Sequence, residues 1–232
     1  MIQLKNINKY FGKRHVLKDI TLDIEDNAAI AFIGSNGSGK TTLVEIIAKL
    51  LKPTQGSIHY TSDKEAKDVN RRVGMQFQDG SWPPGTKIID LVKFYKDKSF
   101  INSDEFNQLV DAFNLKDFIN KSIDSLSGGE RQRANCFLSI INNPEILILD
   151  ELITGLDLEM QIKLIKFFKE YKKNNKVALL IVSHIPEEVE ELCDRVVILK
   201  SGEIYEDSDM KTIIEKHGSL RKRLLKYYEI QE

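Results

Sequence analysis

The sequence predicts an α/β fold: a core with a mostly parallel sheet, an N-terminal antiparallel β subdomain and an inserted helical subdomain. Three observations predict it. Short β-type runs alternate with longer helix-type patterns, the order that lays helices over a parallel sheet. The apolar run 28–33 passes through a glycine-rich loop into a pattern with Leu43, Ile46, Ile47 and Leu50 at helical spacing. Residues 79–125 change character, with helical patterns around 87–96 and 104–113 and no run fit for a buried strand.

In chain order, Ile2 and Leu4, then Leu22 and Ile24, alternate as antiparallel edge strands do, and Ile58 and Tyr60 continue that pattern before the charged stretch 63–72. The buried strands are expected at 28–33, 146–149, 177–182 and 196–199, short apolar runs of the kind covered on both faces. Helices are expected at about 128–142 and 159–173. Lys200-Ser201-Gly202-Glu203 reads as a hairpin turn into a last short strand. The whole chain, 1–232, reads as one unit, with 1–78 and 143–232 forming the core and β subdomain and 79–142 the helical subdomain.

The chain has 232 residues, with 34 Lys plus Arg against 35 Asp plus Glu, and that near balance argues against a polybasic nucleic-acid binder. At 41% hydrophobic and 30% charged it can build a globular core. Its longest apolar runs, 28–33 and 177–182, are far short of the roughly 20 residues of a membrane span. The opening MIQLKNINKYFGKRH lacks a secretory h-region, so the chain is expected to stay in the cytosol. Cys136 and Cys193 lie inside hydrophobic patterns without a CxxC pair, as reduced core thiols do.

Gly34-Ser35-Asn36-Gly37-Ser38-Gly39-Lys40-Thr41 fits G-x-x-x-x-G-K-[ST] between a strand and a helix, the context that motif requires. Glycines let backbone N–H groups converge on phosphates, and the helix N-terminus adds positive potential. Lys40 reaches the β/γ-phosphates, and Thr41, with Thr42 beside it, opens the helix where Mg²⁺ would be ligated. The core therefore reads as a P-loop NTPase; the plain alternative is a flexible turn before a helix.

Glu145 to Glu151 is a buried strand ending in two acids, and ligands of open α/β sheets bind beyond the carboxyl ends of strands. Beside a phosphate loop, Asp150 suits the Mg²⁺ shell and Glu151 the base that orients or deprotonates water. His184 follows the run 177–182 through Ser183, placing it on the same sheet edge as a γ-phosphate contact. Leu126-Ser127-Gly128-Gly129-Glu130 opens a further helix. Ser127 with Glu130 three residues on forms a capping box, and the Ser127 hydroxyl with the Gly128 and Gly129 amides forms an anion site.

Phosphate loop, LSGGE, Asp150-Glu151, Gly155-Leu156-Asp157 and His184, in that order and spacing, resemble the ATP-binding cassette family of transporter ATPases over residues 2–205. The resemblance implies ATP and Mg²⁺ as cofactors and a head-to-tail pair of cassettes, with LSGGE of one chain closing over ATP on the other. It implies that Gln78 senses Mg²⁺ and γ-phosphate, that Phe11 stacks on adenine with Tyr10 as its nearest rival, and that Asp157 communicates across the dimer. Two positions depart from the family. Leu152-Ile153 stands where most members carry Pro-Thr, and Leu158 stands where Pro is usual, so the loop holding Asp157 is expected to be less rigid.

The resemblance further implies an ATPase motor for a separate integral membrane subunit, paired with a second copy or a related cassette and held peripherally at the cytoplasmic face of the membrane. No nucleic acid is expected. The segment Trp82-Pro83-Pro84-Gly85-Thr86 and the lack of a long C-terminal regulatory domain favour export over import. A P-loop small-molecule kinase, a cassette serving DNA or the ribosome, and a non-hydrolysing scaffold are the rivals; LSGGE, the chain length and Glu151 with His184 count against them in turn. Trp82 is a candidate anchor for the membrane subunit, the alternative being packing on the helix 87–96. Residues 220–228 read as an amphipathic helix on the chain's own surface, or else on a membrane.

Overall fold

The computed structural model describes residues 1–60, 72–76 and 82–228. The strands β1 (Ile2–Phe11) and β2 (Arg14–Ile24) form an antiparallel sheet with β4 (Gln55–Tyr60), in the order β2-β1-β4. Its register pairs Ile2 with Ile24 and Tyr60, and Leu4 with Leu22 and Ile58, so the alternating residues of the three segments share one face. They form a sheet of their own, the expected antiparallel β subdomain.

The main sheet has the order β5-β6-β7-β3-β8-β9, with β3 (Ala29–Ile33), β5 (Val73–Met75), β6 (Ile146–Asp150), β7 (Ala178–Val182), β8 (Arg195–Lys200) and β9 (Glu203–Asp209). All pairings are parallel except β8 with β9. Every residue of β3, β6 and β7 is buried, as their continuous apolar character requires. Successive side chains serve opposite faces. Ile30, Phe32, Ile148 and Leu180 pack with the β1–β2 hairpin and α1 (Lys40–Ile47), while Ala31, Ile33, Leu149 and Ile181 pack on the opposite, helix-covered side.

That side carries α2 (Ile88–Tyr95), the short α3 (Lys98–Ile101), α4 (Asp104–Ala112) and α5 (Gly128–Ile140), followed by α6 (Leu158–Asn174), α7 (Pro186–Leu192), α8 (Met210–His217) and α9 (Leu220–Tyr227). Phe106, Phe113 and Phe137 stack edge-on in its interior and join α4 and α5 in the same continuous cluster as the sheet. Leu220, Leu224 and Tyr227 bury α9 on the chain itself, and the Tyr227 hydroxyl donates to the Leu199 carbonyl at 3.1 Å. Cys136 and Cys193 are free and buried, and burial pushes both thiols up. Among the described residues no helix is long and apolar enough to cross a membrane.

The tip of the β8–β9 hairpin bears on the phosphate loop. Gly202, at φ 87°, donates to the Ser38 carbonyl at 3.1 Å and accepts from Lys18 N–H at 2.8 Å. A Cβ there would lie 2.3 Å from the Val16 carbonyl, so only glycine admits this approach.

Candidate functional site

β3 delivers Gly34 to the carboxyl edge of the sheet, and the chain turns there into α1. A Cβ on Gly34 would fall 2.3 Å from the Leu199 carbonyl, and one on Gly39, at φ 105°, would fall 2.6 Å from Leu17 Cδ2. Gly39 caps α1 without a side-chain hydrogen bond, so the first helical N–H groups stay open to an anion. The loop bounds a cleft of about 450 Å³. Phe11, Arg14 and Val16 form one wall, Asn36, Gly37 and Gly39 to Thr42 the floor, and Asp150, Glu151, Val182 and His184 the far side. β7 lies between β3 and β6, which sets His184 between the loop and the two acids.

Lys40 is buried, and its ammonium donates to the carbonyls of Gly34 at 2.7 Å and Ser35 at 3.1 Å. Burial lowers its pKa against the pull of Asp150 and Glu151. Asp150 is pushed up to about 6 by burial and then by the Glu151 charge, with Lys40 opposing. A buried acid so destabilised as an anion suits a cation partner. Together with the Thr41 hydroxyl, Asp150 fits Mg²⁺. His184 is lowered by burial and by Lys40, so its imidazole is neutral near pH 7.

The expected residues divide into four groups. Phe11, Asn36, Gly37, Gly39, Lys40, Thr41, Thr42, Asp150, Glu151 and His184 meet in the cleft; Gly34, Ser35 and Ser38 shape the loop without lining it. Tyr10, the rival of Phe11, stacks on His15 at 3.9 Å instead. Ser127, Gly128, Gly129, Glu130 and Asp157 do not line the cleft. Gln78 lies outside the described residues.

Of the two readings of Ser127, the structure shows the capping box, which engages its hydroxyl. That hydroxyl donates to Glu130 Oε2 at 2.8 Å and accepts from the Glu130 N–H, and the Glu130 carboxylate also takes the Ser127 N–H at 2.9 Å. The capping box wins because these partners are three residues apart and always present, whereas an anion must arrive. Asp157 caps α6 by accepting from Met160 N–H at 2.9 Å. Its loop, expected to be loose without Pro, is pinned another way. Leu152 and Ile153 are buried, and Gln161 donates to the Leu156 carbonyl at 2.9 Å.

Two polar side chains unforeseen from the sequence grip the segment 150–152. Gln76 donates to the Asp150 carbonyl at 3.0 Å, and Gln132 to those of Glu151 and Leu152. Nothing in their spacing announces them, since each acts on backbone far away in sequence. Glu188 is fully buried, and the Ser183 hydroxyl donates to it. Burial pushes its carboxyl up to about 7 although the Ser183 hydroxyl and the Ile153 N–H oppose that, and the Glu151 charge adds to the rise. A raised folded-state pKa contributes stability below the usual carboxylate pKa and loses it as pH rises through about 7. The melting temperature of the nucleotide-free chain should therefore fall from about pH 5 to about pH 8, and less steeply in Glu188→Gln. Equal slopes for the two proteins would show that Glu188 is ionised throughout.

The ABC transporter family model matches residues 17–154. The methionine import ATP-binding protein MetN of Clostridioides difficile (strain 630) is 29% identical over 97% of this chain and 74% of its own length. The ABC transporter ATP-binding protein NatA of Bacillus subtilis (strain 168) is 31% identical over 94% of each chain. Among solved structures, a dimeric ATP-binding cassette in a post-hydrolysis state with ADP and Pi superposes with a TM-score of 0.77 at 25% identity, over 90% of this chain and 98% of that one. With the family model spanning the phosphate loop, the LSGGE helix and Asp150-Glu151, and NatA aligned almost end to end, the chain belongs to the ABC transporter family as one of its ATP-binding subunits.

Proposed function

We propose that this chain is the ATP-hydrolysing motor of a transporter whose membrane-spanning part is a separate subunit, and that it works as a head-to-tail pair. One observation carries the pairing. Lys40, Asp150, Glu151 and His184 face one cleft, while the second phosphate-type terminus lies elsewhere, with Ser127 and Gly128 exposed and Gly129 half-buried. A chain with two half-sites that do not meet completes each of them on another chain. That a solved relative holding ADP and Pi is itself dimeric supports pairing.

In the proposed reaction Phe11 stacks on adenine and the loop amides with Lys40 hold the phosphates. Thr41 and Asp150, with Gln78, would hold Mg²⁺, which supplies charge neutralisation at the β- and γ-phosphates. Glu151 takes the proton of the attacking water, and neutral His184 contacts the γ-phosphate. Ser127 to Gly129 of the second chain approach that phosphate from outside, and there the Glu130 carboxylate must yield the Ser127 hydroxyl. Asp157 lies at the same face. The working division we propose is a core of 1–78 and 143–232 that holds nucleotide and a segment 79–142 that brings the signature helix.

The membrane subunit is proposed to seat in a groove of about 760 Å³ between α2, α5 and β5, lined by Leu50, Met75, Trp82, Phe94, Tyr95 and Leu138. Phe94 is 80% exposed, and Trp82 packs partly on the core while still lining the groove. Export is the proposed direction, on the Trp82-to-Thr86 segment alone; the MetN relative is named for import. The chain should copurify with an integral membrane protein, and acrylamide should quench its single tryptophan in isolation but not in that complex. Recovery with no membrane partner, or quenching unchanged by it, would remove the transporter reading and the docking role respectively.

A further inference from the structure

Glu151 is held in an unusual backbone conformation, at φ 52°, in the left-handed region that non-glycine residues rarely occupy. Such a residue persists only where its surroundings over-determine it. Its N–H donates to the Val182 carbonyl at 2.8 Å, and its own carbonyl accepts from the Thr154 N–H at 3.2 Å and from Gln132 Nε2 at 2.6 Å. The same Gln132 nitrogen donates to the Leu152 carbonyl at 3.0 Å. In an extended strand successive carbonyls point to opposite sides. Here two of them turn toward one donor group because the chain leaves the strand at Glu151, and a planar amide with two N–H bonds matches that pair.

We propose that Gln132 is a positioning residue that holds Glu151 in the left-handed conformation from which its carboxylate faces the nucleotide cleft. The inference rests on Glu151 being the base. Gln132 lies on α5 two residues beyond Glu130, so the helix that presents Ser127 to a second chain also grips the acid of its own chain. Neither the Glu151 N–H bond to β7 nor the Thr154 bond makes that connection. A shift of α5 on closure of the pair therefore moves the Glu151 main chain with it, and each chain's signature helix reports to that chain's own cleft.

Steady-state ATP hydrolysis by the full chain tests this with Gln132→Met, which keeps length and removes both donors. The expected result is a kcat lower by about 10- to 100-fold, the scale of a misplacement near 1 Å, with KM and ATP affinity changed less than about twofold. Glu151→Gln/Gln132→Met should hydrolyse no more slowly than Glu151→Gln alone, because the position of an absent base is immaterial. Gln132→Asn, which keeps an amide one methylene short, should fall between wild type and Gln132→Met, and it decides the matter if Gln132→Met does not fold. A wild-type kcat in whichever variant folds, even with a lowered melting temperature, would make Gln132 structural only and overturn the proposal. If Glu151→Gln itself turns over normally, the base assignment has failed instead, and the two failures are thus told apart.

Discussion

Glu151→Gln should bind ATP as tightly as the wild type and turn it over at least about 100-fold more slowly, since general-base contributions run to about that size or more. The amide keeps the shape of the side chain but cannot accept a proton. It also removes a negative charge that raises Asp150, so Asp150 should hold its cation at lower pH than in the wild type. With hydrolysis blocked, an ATP-bound dimer should accumulate on a sizing column and dissociate when ATP is withdrawn. Near-normal turnover would move the base elsewhere and weaken the assignment of His184 with it.

Lys40→Ala and Ser127→Arg should separate the two half-sites. Lys40 is buried against the Gly34 and Ser35 carbonyls, and its loss removes a charge-assisted contact to phosphate, so ATP affinity of the isolated chain should drop by about 10-fold or more. Ser127 is exposed and outside the cleft. Arginine there should leave the ATP affinity of the isolated chain within about twofold of wild type while abolishing dimerisation and hydrolysis. Equilibrium nucleotide binding beside sizing chromatography reads both. If Ser127→Arg loses nucleotide as severely as Lys40→Ala, the site lies within one chain and the head-to-tail pair is wrong.

The parts of the fold that were legible are those whose signal is local. The apolar runs at 146–149 and 196–199 became β6 and β8 within a residue at each end, and the alternation of Ile2, Leu4, Leu22, Ile24, Ile58 and Tyr60 became real cross-strand pairs. β5 was missed because it has only three residues with a glycine at its centre, and that glycine is required: a Cβ on Gly74 would lie 1.9 Å from the Ser139 carbonyl of α5. α7 has seven residues and few apolar positions, and α8 follows β9 without a turn to mark it. The phosphate loop and the acids after β6 were legible because their chemistry fixes residue types at fixed offsets. Gln76 and Gln132 were not, since a side chain that bonds to remote backbone leaves no periodicity and no motif.

The contact between the β8–β9 tip and the phosphate loop bears on how the protein is made. While the ribosome is still adding the last third of the chain, Ala29–Ile33 lacks both strands that will flank it, because β7 and β8 come later. The Leu199 carbonyl that abuts Gly34 arrives with β8, and the Gly202 N–H that secures Ser38 comes later still. A growing polypeptide that stops short of the hairpin thus carries the glycine motif without its support, next to an apolar strand with both edges bare, the kind of surface that chaperones shield. Mass action therefore lets nucleotide stabilise only molecules whose synthesis has passed that turn.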